Sequence, residues 1–277
     1  MKKIVLILLA SGWLAGCTPV QTTKSGAVGV ERKQYMLLSE KQVERMSAQS
    51  YLQTLKESDA KNTLNPDARQ TERVRTIAKR LIHQTSVVRP DAANWKWEVN
   101  VQQNKELNAY CMPGGKIMVY TGLIDKLNAT DDELAAVMGH EISHALREHG
   151  RERMSQAYAQ QAGVIGLGVL AAVLSDDSRV AQNTMGVAAT VSALALTLPN
   201  SREAEREADR MGLELSARAG YDPNAAVSLW QKMEAQGGAK PPEWLSTHPS
   251  GASRIQDLQR LIPTVTPLYQ EAKARQG

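Results

Sequence analysis

The chain carries two histidines four residues apart with a glutamate directly after the first, in the segment His140-Glu141-Ile142-Ser143-His144. Positions four apart lie on one face of an α-helix, so the two imidazoles can bind a single metal ion. Glu141 lies beside them, close enough to act as a general base for water at that metal. Five-residue matches of this kind also arise by chance, and the two histidines then have only a structural role. The surrounding sequence decides between these interpretations.

The flanking sequence predicts a real helix, from about residue 131 to about residue 149. Thr130 followed three residues later by Glu133 is typical of a capping box at a helix start. Gly150 is a natural stop, and His149 is predicted to be a solvated histidine at the helix end. Apolar residues follow with helical spacing: Leu134, Val137, Met138, Ile142 and Ala145.

A catalytic zinc needs a third protein ligand and an open fourth position. In one known arrangement the third ligand is a histidine ten residues after the first. Here residue 150 is Gly, and Leu146 stands where that arrangement has Gly. The chain therefore does not follow that arrangement, and the other known solution takes a carboxylate from a second helix.

The segment Ser201–Asp209 supplies that second helix. It begins with a capping residue, and Glu205 and Asp209 are four apart on one face. Glu205 is the predicted third zinc ligand, and Asp209 is predicted to accept the spare N–H of a ligand histidine. Taken alone, the segment fits a solvated helix face of Glu/Arg pairs equally well. Its combination with the first helix favours the metal site.

These motifs resemble a known family. His140-Glu141-x-x-His144 with Glu205-x-x-Ala208-Asp209 is similar to the gluzincin metallopeptidases that include the CAAX prenyl protease and the heat-shock protease HtpX. Residues 108–123 resemble the strand pair that precedes the metal helix in that family. Thr247-His248-Pro249, with Arg254, resembles the loop after its third-ligand helix.

The resemblance covers roughly residues 65–262 and implies an α+β fold. This fold is zincin-like and mostly helical, with a small β-sheet above the metal-binding helix. The resemblance also implies one zinc ion per chain and protein or peptide substrates. The stretch Lys116–Thr121 corresponds to the edge strand of the family, so we expect substrate to pair with it as an extended strand.

The resemblance assigns roles to single residues. His140, His144 and Glu205 would bind zinc, and Glu141 would be the catalytic base. His248 would lie near the metal, where it could hold substrate, stabilise a developing oxyanion, or cap the metal in a resting state. Arg254 would neutralise nearby charge or hold the ligand helix in place.

The N-terminus has the pattern of a secretory signal. Lys2 and Lys3 precede a short apolar run, which ends in Leu14-Ala15-Gly16-Cys17. This ending looks like a bacterial lipobox, so residues 1–16 are predicted to be a lipoprotein signal peptide, and Cys17 is predicted to carry the lipid that anchors the protein to the membrane. Thr18, rather than Asp, favours the outer membrane. The chain therefore looks most like the LoiP-like lipoprotein branch of the family, anchored in the outer membrane and facing the periplasm.

Charge and cysteine content bear on two properties of the chain, nucleic-acid binding and disulfide formation. The chain has 33 basic and 29 acidic residues, and removing residues 1–16 takes away Lys2 and Lys3, which leaves 31 against 29. This balance gives no reason to expect nucleic-acid binding. The two cysteines are Cys17 and Cys111. With Cys17 lipidated, Cys111 has no partner in the chain and is expected to be a small apolar residue without a disulfide.

The predicted domain organisation is simple. Residues 17–34 form the lipidated N-terminus and a tether, residues 35–262 form one zinc metallopeptidase domain, and residues 263–277 form a short tail. An apolar insert at 163–198 is predicted to be a helical hairpin, because its apolar runs of 12 and 14 residues are shorter than the roughly 20 residues that span a bilayer. The hairpin would pack on the core or contact the membrane surface or a partner.

The favoured function is a zinc metalloendopeptidase that cleaves proteins or unfolded segments in the bacterial periplasm, as part of envelope protein quality control. An alternative is an envelope chaperone or assembly factor with assembly partners, whose zinc site is structural or silenced by His248. A cell-wall amidase is less favoured, because the resemblance points to peptide bonds in proteins. Glu141 separates the first two, since a peptidase needs this base and a chaperone does not.

Overall fold

A computed structural model describes residues 19–161, 200–236, 246–248 and 252–276. The predicted signal peptide (1–16), Cys17 and the predicted apolar hairpin (163–198) lie outside the described residues. Among the helices that are described, none has both the length and the apolar character needed to cross a bilayer.

The described chain is mostly helical with two small sheets, which confirms the predicted α+β class. The strands are β1 (Pro19–Val20), β2 (Gln34–Tyr35), β3 (Glu98–Gln102), β4 (Ala109–Met112) and β5 (Lys116–Tyr120). The helices are α1 (Glu40–Ala60), α2 (Ala68–Ile82), α3 (Thr121–Lys126), α4 (Asp131–Leu146), α5 (149–161), α6 (Arg202–Arg218), α7 (Ala225–Ala235) and α8 (Ala252–Ala274). Two 3-10 turns lie at Thr85–Val87 and Pro90–Asn94.

The described residues divide into two compact units. The smaller one contains 19–21, 32–40 and 151–161, and the larger one contains 22–31, 41–150, 200–236, 246–248 and 252–276. In the smaller unit β1 pairs antiparallel with β2, and Arg32 forms two hydrogen bonds with the buried carboxylate of Glu152, at 2.6 and 2.8 Å. The amide of Gln34 donates a third hydrogen bond to Glu152 at 2.8 Å.

The larger unit contains a three-stranded sheet with the order β3-β5-β4. The central strand is β5, which runs parallel to β3 and antiparallel to β4. The prediction that substrate pairs with Lys116–Thr121 is therefore wrong, because both sides of β5 already carry strands. The outer side of β3 is also partly covered, since Leu64 bridges to Gln102. Within the described chain, β4 is the edge whose outer side pairs with no further strand.

Helix α4 begins as the sequence predicts but ends earlier. Thr130 Oγ1 accepts a hydrogen bond from the N–H of Glu133 at 3.2 Å, and the Glu133 carboxylate accepts one from the N–H of Thr130 at 2.9 Å. At the other end, Arg89 donates to the carbonyl of Leu146 at 2.9 Å and to Glu148 at 2.7 Å. Glu148 lies in the left-handed region at φ 53°, which ends the helix.

Because α4 ends at Leu146, Gly150 is not its stop. Residues 147 and 148 form a turn, and α5 begins immediately afterwards at 149. The predicted end of the metal helix near residue 149 is therefore corrected, and His149 belongs to the next helix.

Part of the predicted tether is folded. Val28 and Val30 are buried in the apolar core of the larger unit. The N–H groups of Ala27 and Val28 donate to the carboxylate of Glu214 on α6, at 2.8 and 3.2 Å. Residues 22–31 therefore pack against the domain instead of serving as a flexible connection.

The predicted tail is also folded, because α8 continues through Pro263 and Pro267 as far as Ala274. A proline inside a helix typically costs about 3 kcal/mol, so the sequence favoured a stop at Pro263. Val265 and Ala272 are buried beyond the first proline, and their packing offsets that cost. Helix α8 is thus part of the domain along its whole described length.

Candidate metal centre

Helices α4 and α6 bring the three predicted zinc ligands together. Nε2 of His140 lies 3.1 Å from Nε2 of His144. The Glu205 carboxylate contacts both rings, with Oε1 3.3 Å from His144 Nε2 and Oε2 3.4 Å from His140 Nε2. A local cap sets the start of α6, since Ser201 Oγ accepts from the N–H of Ala204 at 3.1 Å. The spacing of four on one helix and the carboxylate from a second helix both appear as predicted.

His248 is the fourth member of this cluster. Its Nδ1 lies 3.2 Å from His140 Nε2 and 3.0 Å from Glu205 Oε1. On its other side, Nε2 lies 3.4 Å from a carboxylate oxygen of Glu141. The prediction that His248 lies near the metal is consistent with this position, which is also next to the predicted base.

The cluster fits a zinc ion. His140, His144, Glu205 and His248 are all buried, and one possible ligand atom of each lies within 4.8 Å of those of the others. Zinc–nitrogen bonds of about 2.0–2.1 Å in tetrahedral geometry place ligand atoms roughly 3.3 Å from one another. Five contacts among the four side chains, at 3.0 to 3.4 Å, are close to this spacing. Oε2 of Glu205 is buried and faces Nε2 of His140 at 3.4 Å, with the guanidinium of Arg254 at 2.9 Å on its other side.

The charges around the cluster also favour a cation. Burial raises the pKa of Glu205, but the surrounding imidazoles, His144 foremost, lower it well below its usual range. Burial lowers the pKa of His140, but hydrogen bonds with Asp209 and Glu205 outweigh this and raise it to about 9. Burial lowers the pKa of His144 well below its usual value. The site thus holds a carboxylate anion among buried imidazoles, a combination that favours a bound cation.

Asp209 supports His140 from behind, as predicted. Its Oδ1 lies 3.0 Å from Nδ1 of His140, which directs Nε2 of that ring towards the other ligands. Arg254 donates to both oxygens of Asp209, at 2.6 and 2.7 Å, and its NH1 lies 2.9 Å from Oε2 of Glu205. The guanidinium also covers the ring of Trp230, 4.1 Å from its centroid. Both predicted roles of Arg254 are compatible with these contacts.

His149 supports the other ligand histidine, a contact that no local sequence pattern predicts. Its Nδ1 lies 2.8 Å from Nδ1 of His144, and its Nε2 lies 2.9 Å from Oε2 of Glu207. The ring is buried, so the prediction of a solvated helix-end residue is wrong. The turn at 147–148 returns His149 towards His144, and that turn depends on Arg89, which is distant in sequence.

Cys111 places the edge strand beside the predicted base. Its side chain is buried, which is consistent with the prediction of a small apolar residue. Burial raises the pKa of the thiol, and the negative charge of Glu141 raises it further. Strand β4 therefore lies within electrostatic range of Glu141.

Comparisons with known proteins agree with this geometry. A model of peptidase family M48 matches residues 68–262. The chain is 33% identical over 249 residues to the mitochondrial metalloendopeptidase OMA1 of Bos taurus, covering 87% of this chain and 45% of that protein. It is 37% identical over 180 residues to the mitochondrial metalloendopeptidase OMA1 of Arabidopsis thaliana, covering 64% of this chain and 34% of that protein.

A bacterial relative also matches. The chain is 29% identical over 205 residues to the beta-barrel assembly-enhancing protease of Escherichia coli, covering 72% of this chain and 40% of that protein. In each of these three alignments the chain spans less than half the length of the relative.

Proposed function

Because the chain belongs to the metallopeptidase family M48, we propose that it is a zinc-dependent endopeptidase that cleaves proteins or unfolded segments. The observation that carries this proposal is the buried cluster of His140, His144 and Glu205, with the carboxylate of Glu141 adjoining it. Two imidazoles and one carboxylate as ligands, with a second carboxylate beside them as the base, are the residue set of a catalytic zinc site.

The residues divide the chemistry among them. Zinc supplies a Lewis acid that polarises a peptide carbonyl and makes water more acidic. Glu141 takes the proton from the attacking water and then transfers it to the nitrogen of the leaving amine. Asp209 holds the N–H of His140 so that the opposite nitrogen faces the metal. Arg254 balances the negative charge of Asp209 and Glu205.

His248 is assigned the role of a metal cap in the resting protein. Of the three roles that the family resemblance allows, this one is supported by the contacts of Nδ1 with His140 and Glu205. A catalytic zinc needs an open fourth position, which this ring would fill. Substrate must then displace His248 before cleavage.

The closed site also favours one alternative. A zinc that keeps four protein ligands is structural, and the protein would then act as a chaperone or assembly factor with envelope partners. Displacement of His248 distinguishes the two functions, since the peptidase should become more active without this ring and the assembly factor should stay inactive.

Substrate is proposed to pair with β4, the edge of the sheet whose outer side pairs with no further strand among the described residues. Tyr120 donates its N–H to the carbonyl of Asn108, so the alternation of an antiparallel pair turns the main-chain groups of Ala109 and Cys111 away from β5. A peptide added there would be fixed by its main chain, and its side chains would be read loosely. The proximity of Cys111 to Glu141 supports this position for the scissile bond.

The protein is further proposed to be a LoiP-like lipoprotein, anchored through Cys17 to the outer membrane and facing the periplasm. The sequence Leu14-Ala15-Gly16-Cys17 supports the lipid, and Thr18 supports the outer membrane. A role in envelope quality control is supported by the similarity to a bacterial protease whose name refers to β-barrel assembly. Envelope polypeptides are then the substrates.

The test uses zinc-loaded protein and an unfolded substrate such as casein. Glu141→Gln keeps the shape and removes the base, so cleavage should be nearly abolished while zinc is retained. Glu205→Ala removes a ligand and should lose both zinc and cleavage. The control is Glu203→Gln, an exposed carboxylate on the same helix that pairs only loosely with Arg206, at 3.9 Å.

Metal content by plasma mass spectrometry and cleavage sites by peptide mass spectrometry are the two measurements. Cleavage by Glu141→Gln at the wild-type rate contradicts the peptidase mechanism. Zinc binding without cleavage, both in the wild type and in His248→Ala, favours the assembly factor instead.

A further inference from the structure

The two ligand histidines of α4 are supported by different hydrogen-bonded chains. His140 contacts the carboxylate of Asp209 directly, and Arg254 pairs with that carboxylate. His144 has no such direct contact with a carboxylate behind it in the described structure, because another imidazole, that of His149, stands between.

The chain behind His144 runs inwards through three residues. His149 Nδ1 lies 2.8 Å from His144 Nδ1, and His149 Nε2 lies 2.9 Å from Oε2 of Glu207. The same oxygen accepts two hydrogen bonds from Arg147, at 3.0 and 3.1 Å. The Arg147 side chain is completely buried, and its NH1 also donates to the hydroxyls of Thr22 and Thr23 at 3.2 Å.

Hydrogen bonding allows one arrangement of protons when His144 faces the metal through Nε2. Nδ1 of His144 must then carry its proton, and it donates that proton to Nδ1 of His149. Nε2 of His149 is left with the other proton, which it donates to Glu207. Two hydrogen bonds from Arg147 hold the Glu207 carboxylate in place as the acceptor at the end of the chain.

We propose that His149 is a positioning residue for the metal, which holds the His144 ring in the orientation and tautomer that zinc binding requires. Glu207 and Arg147 in turn orient His149. The inference depends on the metal site of the proposed function but not on peptide hydrolysis. Partners of ligand histidines typically contribute about 10- to 100-fold to metal affinity.

Two substitutions separate this role from simple packing. His149→Phe keeps a ring of similar size but removes the acceptor next to His144, so zinc affinity should fall about 10- to 100-fold. His149→Asn places an amide oxygen near the position of Nδ1 and should restore most of that affinity. His83→Phe is the matched control, because His83 is exposed at the end of α2, and this variant should bind zinc like the wild type.

The measurements are the zinc dissociation constant, by chelator competition, and the visible spectrum of the Co²⁺-substituted protein. His149→Phe should shift the Co²⁺ bands, whereas His149→Asn should keep them close to the wild type. Unchanged affinity and bands in His149→Phe overturn the proposal. An equal loss in His149→Asn and His149→Phe overturns it too, because the loss then reflects packing.

One more variant covers the case in which His149→Phe does not fold. His149→Gln extends its amide to the position of Nε2, so it keeps the contact with Glu207 and loses the acceptor beside His144. The proposal is supported if the Asn variant binds zinc about tenfold more tightly than the Gln variant. Equal zinc binding by the two variants contradicts it. All these readouts concern metal alone, so a wild type that binds zinc without cleaving protein refutes the peptidase function and leaves this inference standing.

Discussion

Gly139 and Gly212 meet backbone to backbone where α4 crosses α6. A Cβ atom on Gly139 would lie 2.9 Å from the carbonyl oxygen of Gly212, and a Cβ on Gly212 would lie 2.7 Å from the nitrogen of His140. Real Cβ atoms essentially never come within 3.0 Å of such neighbours. The two helices can therefore cross this closely only with glycine at both positions, and the crossing is adjacent to a zinc ligand.

Gly212→Ala should push α6 away from α4 and weaken the metal site. Such overpacking typically costs about 1–3 kcal/mol of folding free energy. The displacement also moves Glu205 away from the two histidines, so we expect zinc affinity to fall as well. Thermal unfolding of the metal-free protein and chelator competition measure the two effects separately.

Gly150→Ala is the matched control. Among described atoms, a Cβ there would meet only Pro113, at 4.0 Å, which is ordinary contact. Because alanine favours helix over glycine by up to about 1 kcal/mol, stability should stay level or rise, with zinc affinity unchanged. If Gly212→Ala behaves like this control, the close crossing does not determine the site.

Cys111→Pro should slow the cleavage of every protein substrate. It removes the N–H of residue 111, which is turned away from β5. Loss of one main-chain hydrogen bond to substrate costs about 1 kcal/mol. Together with the shape of the proline ring, this loss should lower cleavage about tenfold. Zinc content should stay near that of the wild type.

Cys111→Ala keeps the N–H and is the control for the side chain, while Ala109→Pro tests the other outward-facing position. Initial rates on casein and on a short peptide report the effect. Parental rates in both proline variants would mean that substrate binds elsewhere.

Glu133→Gln should lower stability near neutral pH but not in acid. Burial raises the pKa of Glu133, but hydrogen bonds from Lys232, the N–H of Thr130 and Ser228 outweigh it, so the pKa lies below the ordinary value of 4.5. A depressed pKa contributes stability that is complete above about pH 4.5 and is lost as the pH falls through the lower value. We expect a loss of about 1 kcal/mol at pH 7.

The measurement is the difference in free energy of unfolding between wild type and Glu133→Gln at pH 7 and at successively lower pH. That difference should shrink below about pH 4.5. The exposed Glu203→Gln should show little difference at any pH. A difference that stays constant into acid would mean that the charge of Glu133 has no part in the effect.

Cys17→Ala should abolish lipid attachment. The residue follows Leu14-Ala15-Gly16, and two or more acyl chains would give the stable membrane attachment that one chain does not. Metabolic labelling with a fatty-acid probe should mark the wild type and leave the variant unlabelled and still a precursor. Equal labelling of both proteins would refute the anchor.

The metal site was predictable because its signals are local. The spacing of His140 and His144 and the caps at Thr130 and Ser201 each lie within a few residues, and helix geometry converts them directly into shared faces. Glu205 was predictable from the need for a third ligand and from its place four residues before Asp209 on a second helix, and the family resemblance supported that assignment.

The errors have the opposite origin, since each depends on residues that are distant in sequence. Arg89 ends α4 from 57 residues away, and this determines the position of His149. The carboxylate of Glu214 accepts a hydrogen bond from the N–H of Ala27, 187 residues away in the sequence. The composition of the N-terminal segment does not reveal this contact, and the segment was therefore predicted to be a tether. The order of strands in the sheet is likewise a property of the assembled domain, and it put β5 in the centre.

The folded state of residues 22–31 determines where a soluble form of this protein can begin. A shortened protein that starts at residue 32 lacks most of the predicted tether. It therefore also lacks Val28 and Val30, which belong to the core. Arg147 then also loses its hydrogen bonds to the hydroxyls of Thr22 and Thr23. Arg147 belongs to the hydrogen-bonded chain that ends at His144. A shortened protein must therefore retain Thr22 and all that follows it. Otherwise a loss of metal caused by the truncation will be mistaken for a property of the enzyme.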